Sequence, residues 1–319
     1  MDDLKDLPTA APAESANAIR PRRRRWLSVL LYLLAGCGVL ALALIGLAVY
    51  QHLTAEKAPP RVTVDEAAVI ENVMGQTYGK YSAAKKGWVY VGDDDRTYVM
   101  QVVQQVKLAD GADGDELYFI ASGTAQNGDH SALYGAFHVH PTRPYDGGLT
   151  HVGAQFNYVS TQAVRPEQVH FEALSENLWG WVVKTRVITD LHAGTVSTNN
   201  TVLAPHEDRI AVLAEFLSAR DTDPGMPCDE AKEAWDIWNG MTTPDTEGVD
   251  VEEPEEPIRC DKRRWTYKTG TVSGNIPVPI TVTLGGTQDG QPVEPRTWKL
   301  MFDAKRFGYN VPDELASED

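Results

Sequence analysis

The chain has 319 residues, a formal net charge of −16, 42% hydrophobic and 23% charged residues, and three cysteines. That balance excludes a wholly disordered chain and a cysteine-dense scaffold, and the length leaves room for one or two domains with cores of their own. The excess of acid argues against nucleic acid as a partner, because a phosphate backbone would be repelled.

Residues 1–25 carry six basic and four acidic side chains among Ala and Pro, a composition that predicts a short disordered tail. Its basic residues gather at the end, with Arg22, Arg23, Arg24 and Arg25 in succession. Residues 26–50 then contain no charge. At 1.5 Å per residue such a helix is about 37 Å long, enough for a hydrocarbon core of about 30 Å. Trp26 and Tyr50 stand at its ends, where amphipathic rings favour the headgroup level. Arginines ahead of the span keep the tail in the cytoplasm by the positive-inside rule, which sends the remainder across. The expected address is therefore the bacterial inner membrane, single-pass, with the carboxyl-terminal bulk in the periplasm and the lipid bilayer as the first partner. Leu34-Ala35-Gly36-Cys37 resembles a bacterial lipobox, which leaves lipidation of Cys37 open. Hydrophobic residues continue over 38–50, however, where a lipoprotein would carry a polar tether.

Residues 51–61 form a short tether stiffened by Pro59 and Pro60. Thr63 with Glu66 makes a capping box, predicting a helix over 64–74 that stops at Gly75. Apolar and alternating runs predict strands over 88–91, 97–108, 117–122, 133–140, 151–159, 169–174, 178–189 and 195–203. Their short, turn-rich connections suit an antiparallel meander. After Pro205, the spacing of Ile210, Leu213, Ala214 and Leu217 predicts a helix, and a second helix is predicted over 229–239. Residues 242–257 hold seven acids and three prolines and read as a solvated loop. Strands are predicted over 264–272, 279–284 and 296–302. The fold class is mainly β (α+β), divided into a β-rich ectodomain over 62–222 and a helix, acidic loop and β-hairpin region over 223–319.

Cys228 and Cys260 are the two cysteines beyond the span. An oxidising compartment favours joining them, closing a loop of roughly 30 residues with a stabilisation of about 3–4 kcal/mol. His138 and His140, two apart on a predicted strand, project to one face, and His151 opens the next strand. With Asp146 in the joining loop, these imidazoles form a candidate site for a divalent metal such as zinc. The alternative is a polar strand face without a ligand. Asp93, Asp94 and Asp95, and Asp110, Asp113, Asp115 and Glu116, gather in Gly-rich loops without EF-hand spacing. Residues 75–80 resemble a phosphate loop but lack its glycine spacing, and neither a nucleophile elbow nor H-E-x-x-H is present. The expected function is a non-enzymatic periplasmic interaction or ligand-binding module with an envelope partner. Its alternative is a metal-dependent envelope enzyme built on the three histidines.

Overall fold

The computed structural model describes residues 23–54, 61–111, 114–126, 130–142, 148–190, 195–222, 260–288 and 290–316. The chain divides into two units, Met1–Pro59 and Pro60–Asp319. In the first unit, α1 (Arg23–Thr54) is a single helix of 32 residues. Its segment Val29–Leu47 has a mean hydropathy of 2.5, and none of it is buried against protein. Apolar side chains point outward on every side of this stretch, including Leu31, Tyr32, Leu40 and Leu44. A helix apolar all round is compatible with a membrane anchor or a signal sequence.

The second unit is mainly antiparallel β. It opens with α2 (Glu66–Tyr78), whose N-cap is Asp65 rather than Thr63; the Asp65 carboxylate accepts the N–H of Ala68 at 3.3 Å. The start is displaced because Val64 is held elsewhere: its N–H donates to the Asp115 carboxylate at 3.3 Å, and Val62 bridges to Gly114. The helix also runs through Gly75 and ends at Gly79, whose positive φ of 85° is one that glycine adopts without a Cβ penalty.

Six strands follow as a meander: β1 (Tyr81–Ser82), β2 (Gly87–Val91), β3 (Thr97–Gly111), β4 (Gly114–Thr124), β5 (Ala132–Pro141) and β6 (Leu149–Tyr158). A second sheet contains β7 (Val169–Ser175), β8 (Leu178–Asp190), β9 (Thr195–His206), β10 (Arg209–Thr222), β11 (Asp261–Thr269), β12 (Ile280–Gln288), β13 (Gln291–Pro292) and β14 (Arg296–Leu300). Its order is β13-β12-β11-β10-β9-β8-β7, with β14 also on β12. A small hairpin, β15 (Phe302–Asp303) and β16 (Gly308–Tyr309), follows. The helix expected over 210–217 is therefore corrected: those residues lie inside β10, paired with β9 and interrupted by bulges at Val212/Ala214 and Leu217/Ala219. The helix expected over 229–239 and the acidic loop over 242–257 lie outside the described residues.

Strand alternation sorts the apolar residues into three layers of contact. On one face of the first sheet, Leu117, Phe119, Leu133 and Phe137 pack against Val73, Met74 and Tyr78 of α2. On its other face, Tyr118, Ile120, Tyr134 and Ala136 meet Val169, Trp181, Val183 and Leu203 of the second sheet. The far face of the second sheet, with Val182, Val202, Phe216, Trp265 and Leu300, is closed by Tyr309 and Leu315. Each fully buried side chain of this kind contributes about 1.5–3 kcal/mol relative to exposure. This three-layer packing carries β4 and β5 through the middle of the unit.

Candidate functional site

The polar constellation that the fold assembles lies on β4 and β5, at one end of the face between the two sheets. Tyr118 and His138 are direct cross-strand partners. Alternation places Glu116 on the same face of β4 as Tyr118, and His140 on the same face of β5 as His138. The His138 Nε2 lies 2.9 Å from Glu116 Oε2, and the Tyr118 hydroxyl donates to that same oxygen at 2.7 Å. The Tyr118 and His138 rings stack at 4.3 Å, and His138 stacks on His140 at 5.0 Å. Tyr118 is wedged further in, against Phe171 and Trp181 of the second sheet.

The electrostatics follow from this geometry. The hydrogen bond from His138 holds the Glu116 carboxyl below the usual carboxylate range, against the opposing effect of burial, with Tyr118 and the charge of the imidazoles adding to it. Burial, reinforced by the neighbouring Glu116, pushes the Tyr118 phenol well up, so it remains a donor. Glu116 thus fixes one nitrogen of His138 and leaves the other for a further partner, as a carboxylate does when it orients an imidazole. His140 Nδ1 lies 3.1 Å from the carbonyl oxygen of Pro141. The arrangement can orient an imidazole, exchange a proton and present aromatic edges.

His151 does not join it. Val139 is its direct partner across β5 and β6, so His151 shares the face of Val139, towards α2, while His138 and His140 occupy the opposite face. The structure brings His138 and His140 together and sets His151 on the opposite face; among the described residues no three His, Cys, Asp or Glu side chains come together to hold a metal ion. Asp146 lies outside the described residues. Glu116 and Tyr118 replace His151 in the cluster. The sequence alone groups Glu116 with the loop acids; the signal that separates it is its place beside Tyr118, in an E-x-Y segment facing H-x-H across a strand pair.

Two of the other loop acids, Asp115 and Asp94, have structural partners. Asp115 faces away from Glu116 and is buried, 3.0 Å from Lys107 Nζ and 3.9 Å from Arg61 Nε. These contacts hold its carboxyl below the ordinary range, with the Lys107 hydrogen bond the largest cause. Asp94 caps its own turn, accepting the N–H of Arg96 and the hydroxyl of Tyr98. Arg23, Arg24 and Arg25 fall in the first turn of α1, and Arg22 lies outside the described residues. Cys37 is a free, exposed thiol, whereas Cys260 is buried and is not free. Cys228 lies outside the described residues. In comparisons with protein-family models, curated proteins and solved structures, nothing matches this chain.

Proposed function

We propose that this chain is a single-pass inner-membrane protein whose acidic, β-rich carboxyl-terminal unit works in the periplasm as a non-enzymatic interaction or ligand-binding module. One observation carries the reading: α1 exposes an apolar surface on all sides over Val29–Leu47, and no described part of the protein covers it. Burying that surface in lipid removes it from water; leaving it in solution would expose far more contiguous apolar area than a soluble protein tolerates. The four arginines at residues 22–25 favour the cytoplasmic side for the amino terminus. The buried, non-free Cys260 supports pairing with Cys228 in an oxidising compartment.

The test is fractionation followed by protease treatment of spheroplasts. The chain is expected to stay with membranes through alkaline carbonate and to lose its carboxyl-terminal bulk to externally added protease. Release by carbonate, or full protection of the bulk, overturns the reading. Elemental analysis of protein purified without chelator addresses the metal-dependent alternative. One equivalent of a divalent metal, removed by His138→Ala, would replace the non-enzymatic reading by the enzymatic one.

A further inference from the structure

We propose that the open edge of β6 is a self-association site, at which two copies of this chain pair their β6 strands antiparallel about a two-fold axis. An uncovered sheet edge presents free N–H and C=O groups to any passing strand, and folded proteins blunt such edges with brevity, charge, proline, bulges or a covering segment. The other edges here are blunted in those ways. β1 has two residues. β13 has two residues including Pro292, and β14 has five including Arg296 and Lys299. β7 is covered: its Leu174 carbonyl accepts the N–H of Val278 at 2.8 Å, its Val169 carbonyl accepts Gln104 Nε2 at 3.0 Å, and just beyond it the N–H of Glu176 donates to the Gly274 carbonyl at 3.0 Å.

Among the described residues β6 has none of these protections. It pairs with β5 through ten consecutive residues without a bulge. Its sequence, LTHVGAQFNY, contains no Asp, Glu, Lys, Arg or Pro. Among the described residues nothing pairs with its outer side. Val152, Ala154, Phe156 and Tyr158 line one of its faces and are only half-buried at the margin of the core between the sheets. A strand laid alongside would bury this row further while satisfying the open backbone.

The occupant is identified by charge and by pattern. The chain is strongly acidic, so two copies repel over most of their surfaces, and β6 is a long strip on which they meet without like charges. Antiparallel pairing centred on Ala154 sets Val152 of one copy opposite Phe156 of the other, and Gly153 opposite Gln155, so apolar residues meet apolar ones and small residues meet polar ones. An isologous contact of this kind closes as a dimer. The membrane reading above enters only through concentration, since chains anchored in one bilayer meet far more often than free ones.

The test uses the full-length protein in mild detergent, with stoichiometry read by sedimentation and light scattering. The wild type is expected to be dimeric. Gln155 is exposed and its side chain hydrogen-bonds Tyr90 of β2, so each variant is read beside the neutral Gln155→Ser, which loses that bond without adding charge. Gln155→Glu is expected to weaken the dimer severalfold, because the two copies' residues 155 are diagonal neighbours across the new strand pair and would carry like charges. Mixing that variant with one carrying Gln155→Lys is expected to restore association, and the neutral Gln155→Ser to leave it unchanged. A monomeric wild type overturns the proposal, as does a dimer indifferent to all these changes. So does a monomer whose β6 amides are protected from hydrogen exchange, which would mean another segment or protein covers the edge. A chain that dimerises through β6 yet washes off with carbonate overturns the membrane reading alone; a membrane-bound monomer overturns the pairing alone.

Discussion

Replacing Glu116 by Gln removes a charge while preserving shape, and it tests the electrostatics of the β4–β5 cluster directly. Glu116 Oε2 receives two short contacts, from His138 Nε2 at 2.9 Å and from the Tyr118 hydroxyl at 2.7 Å. A hydrogen bond to an ionised group contributes about 1.5–3 kcal/mol and a neutral one about 0.5–1.5 kcal/mol. Two such bonds would lose about 2 kcal/mol if the site were dry. The Glu116 side chain is 26% exposed, and solvent screening brings the expected loss to about 1–1.5 kcal/mol. The pH dependence has a definite sign. The folded carboxyl lies below its ordinary value of 4.5, so its stabilisation is present above that value and disappears as the pH falls through the folded pKa. Urea titrations of the full-length protein in detergent micelles, followed by tryptophan fluorescence, provide the assay. Trp181, whose ring lies 5.5 Å from that of Tyr118, reports on the region. The gap between wild type and Glu116→Gln is expected at pH 7 and should close well below pH 4.5. An equal gap at both pH values, or none at pH 7, would refute the assignment of a charged Glu116 bridging His138 and Tyr118.

Asp115→Ala strands Lys107 beside a buried site and frees the N–H of Val64. With Lys107 30% exposed, the expected cost is about 2–3 kcal/mol in urea titration, with earlier hydrogen exchange over residues 62–66. Gly135→Ala puts a Cβ against the Tyr78 hydroxyl and is expected to cost about 2 kcal/mol. The buried Tyr78 hydroxyl finds no hydrogen-bond partner among the described residues, so Tyr78→Phe is expected to be neutral or stabilising and to relieve part of the Gly135→Ala loss, the rest being the approach of the new Cβ to the Phe137 ring. Additive losses in that double-mutant cycle would contradict the close approach. Thiol counting on the unreduced, denatured chain should find one reactive cysteine, Cys37, if Cys228 and Cys260 are joined; three would exclude the bridge.

How far the sequence reaches is shown by the histidines. The strand bearing His138 and His140 is legible because alternation between apolar and polar residues is local, and their common face follows from it. The position of His151 relative to them is not local. It depends on which residue of β6 meets which residue of β5, and the observed register sets His151 opposite Val139. A shift of a single residue would have turned His151 to the other face, beside His138. The connection over 142–148 carries no pattern that fixes such a shift, so strands could be read from the chain while the membership of the cluster could not. The same limit hid Glu116. Its neighbour Asp115 points to the opposite face, and only the register with β5 separates the carboxylate that meets His138 from the one that meets Lys107.

β10 shows a different failure, in which the local pattern itself misleads. Ile210, Leu213, Ala214 and Leu217 stand at helical spacing, yet the segment is a strand of fourteen residues. Its burial runs exposed, buried, buried, and repeats with a period of three over residues 209–217. An unbroken strand with one wet face would alternate with a period of two. Two features of the fold convert two into three. Both faces of β10 are covered for part of its length, by the first sheet around Ile210 and by the closing segment around Leu213 and Phe216. The bulges at Val212/Ala214 and Leu217/Ala219 each insert a residue that moves the following side chains to the other face. Extra residues in a two-sided strand therefore produce the spacing that an amphipathic helix produces from its own geometry. Pro205 strengthened the resemblance, although here it lies in β9, opposite Ile210, next to the turn at Glu207 and Asp208. What distinguishes the two structures is a partner strand, β9, whose apolar run ends just before that turn. The chain decides between helix and strand by pairing, so this segment becomes β only in the company of its neighbour.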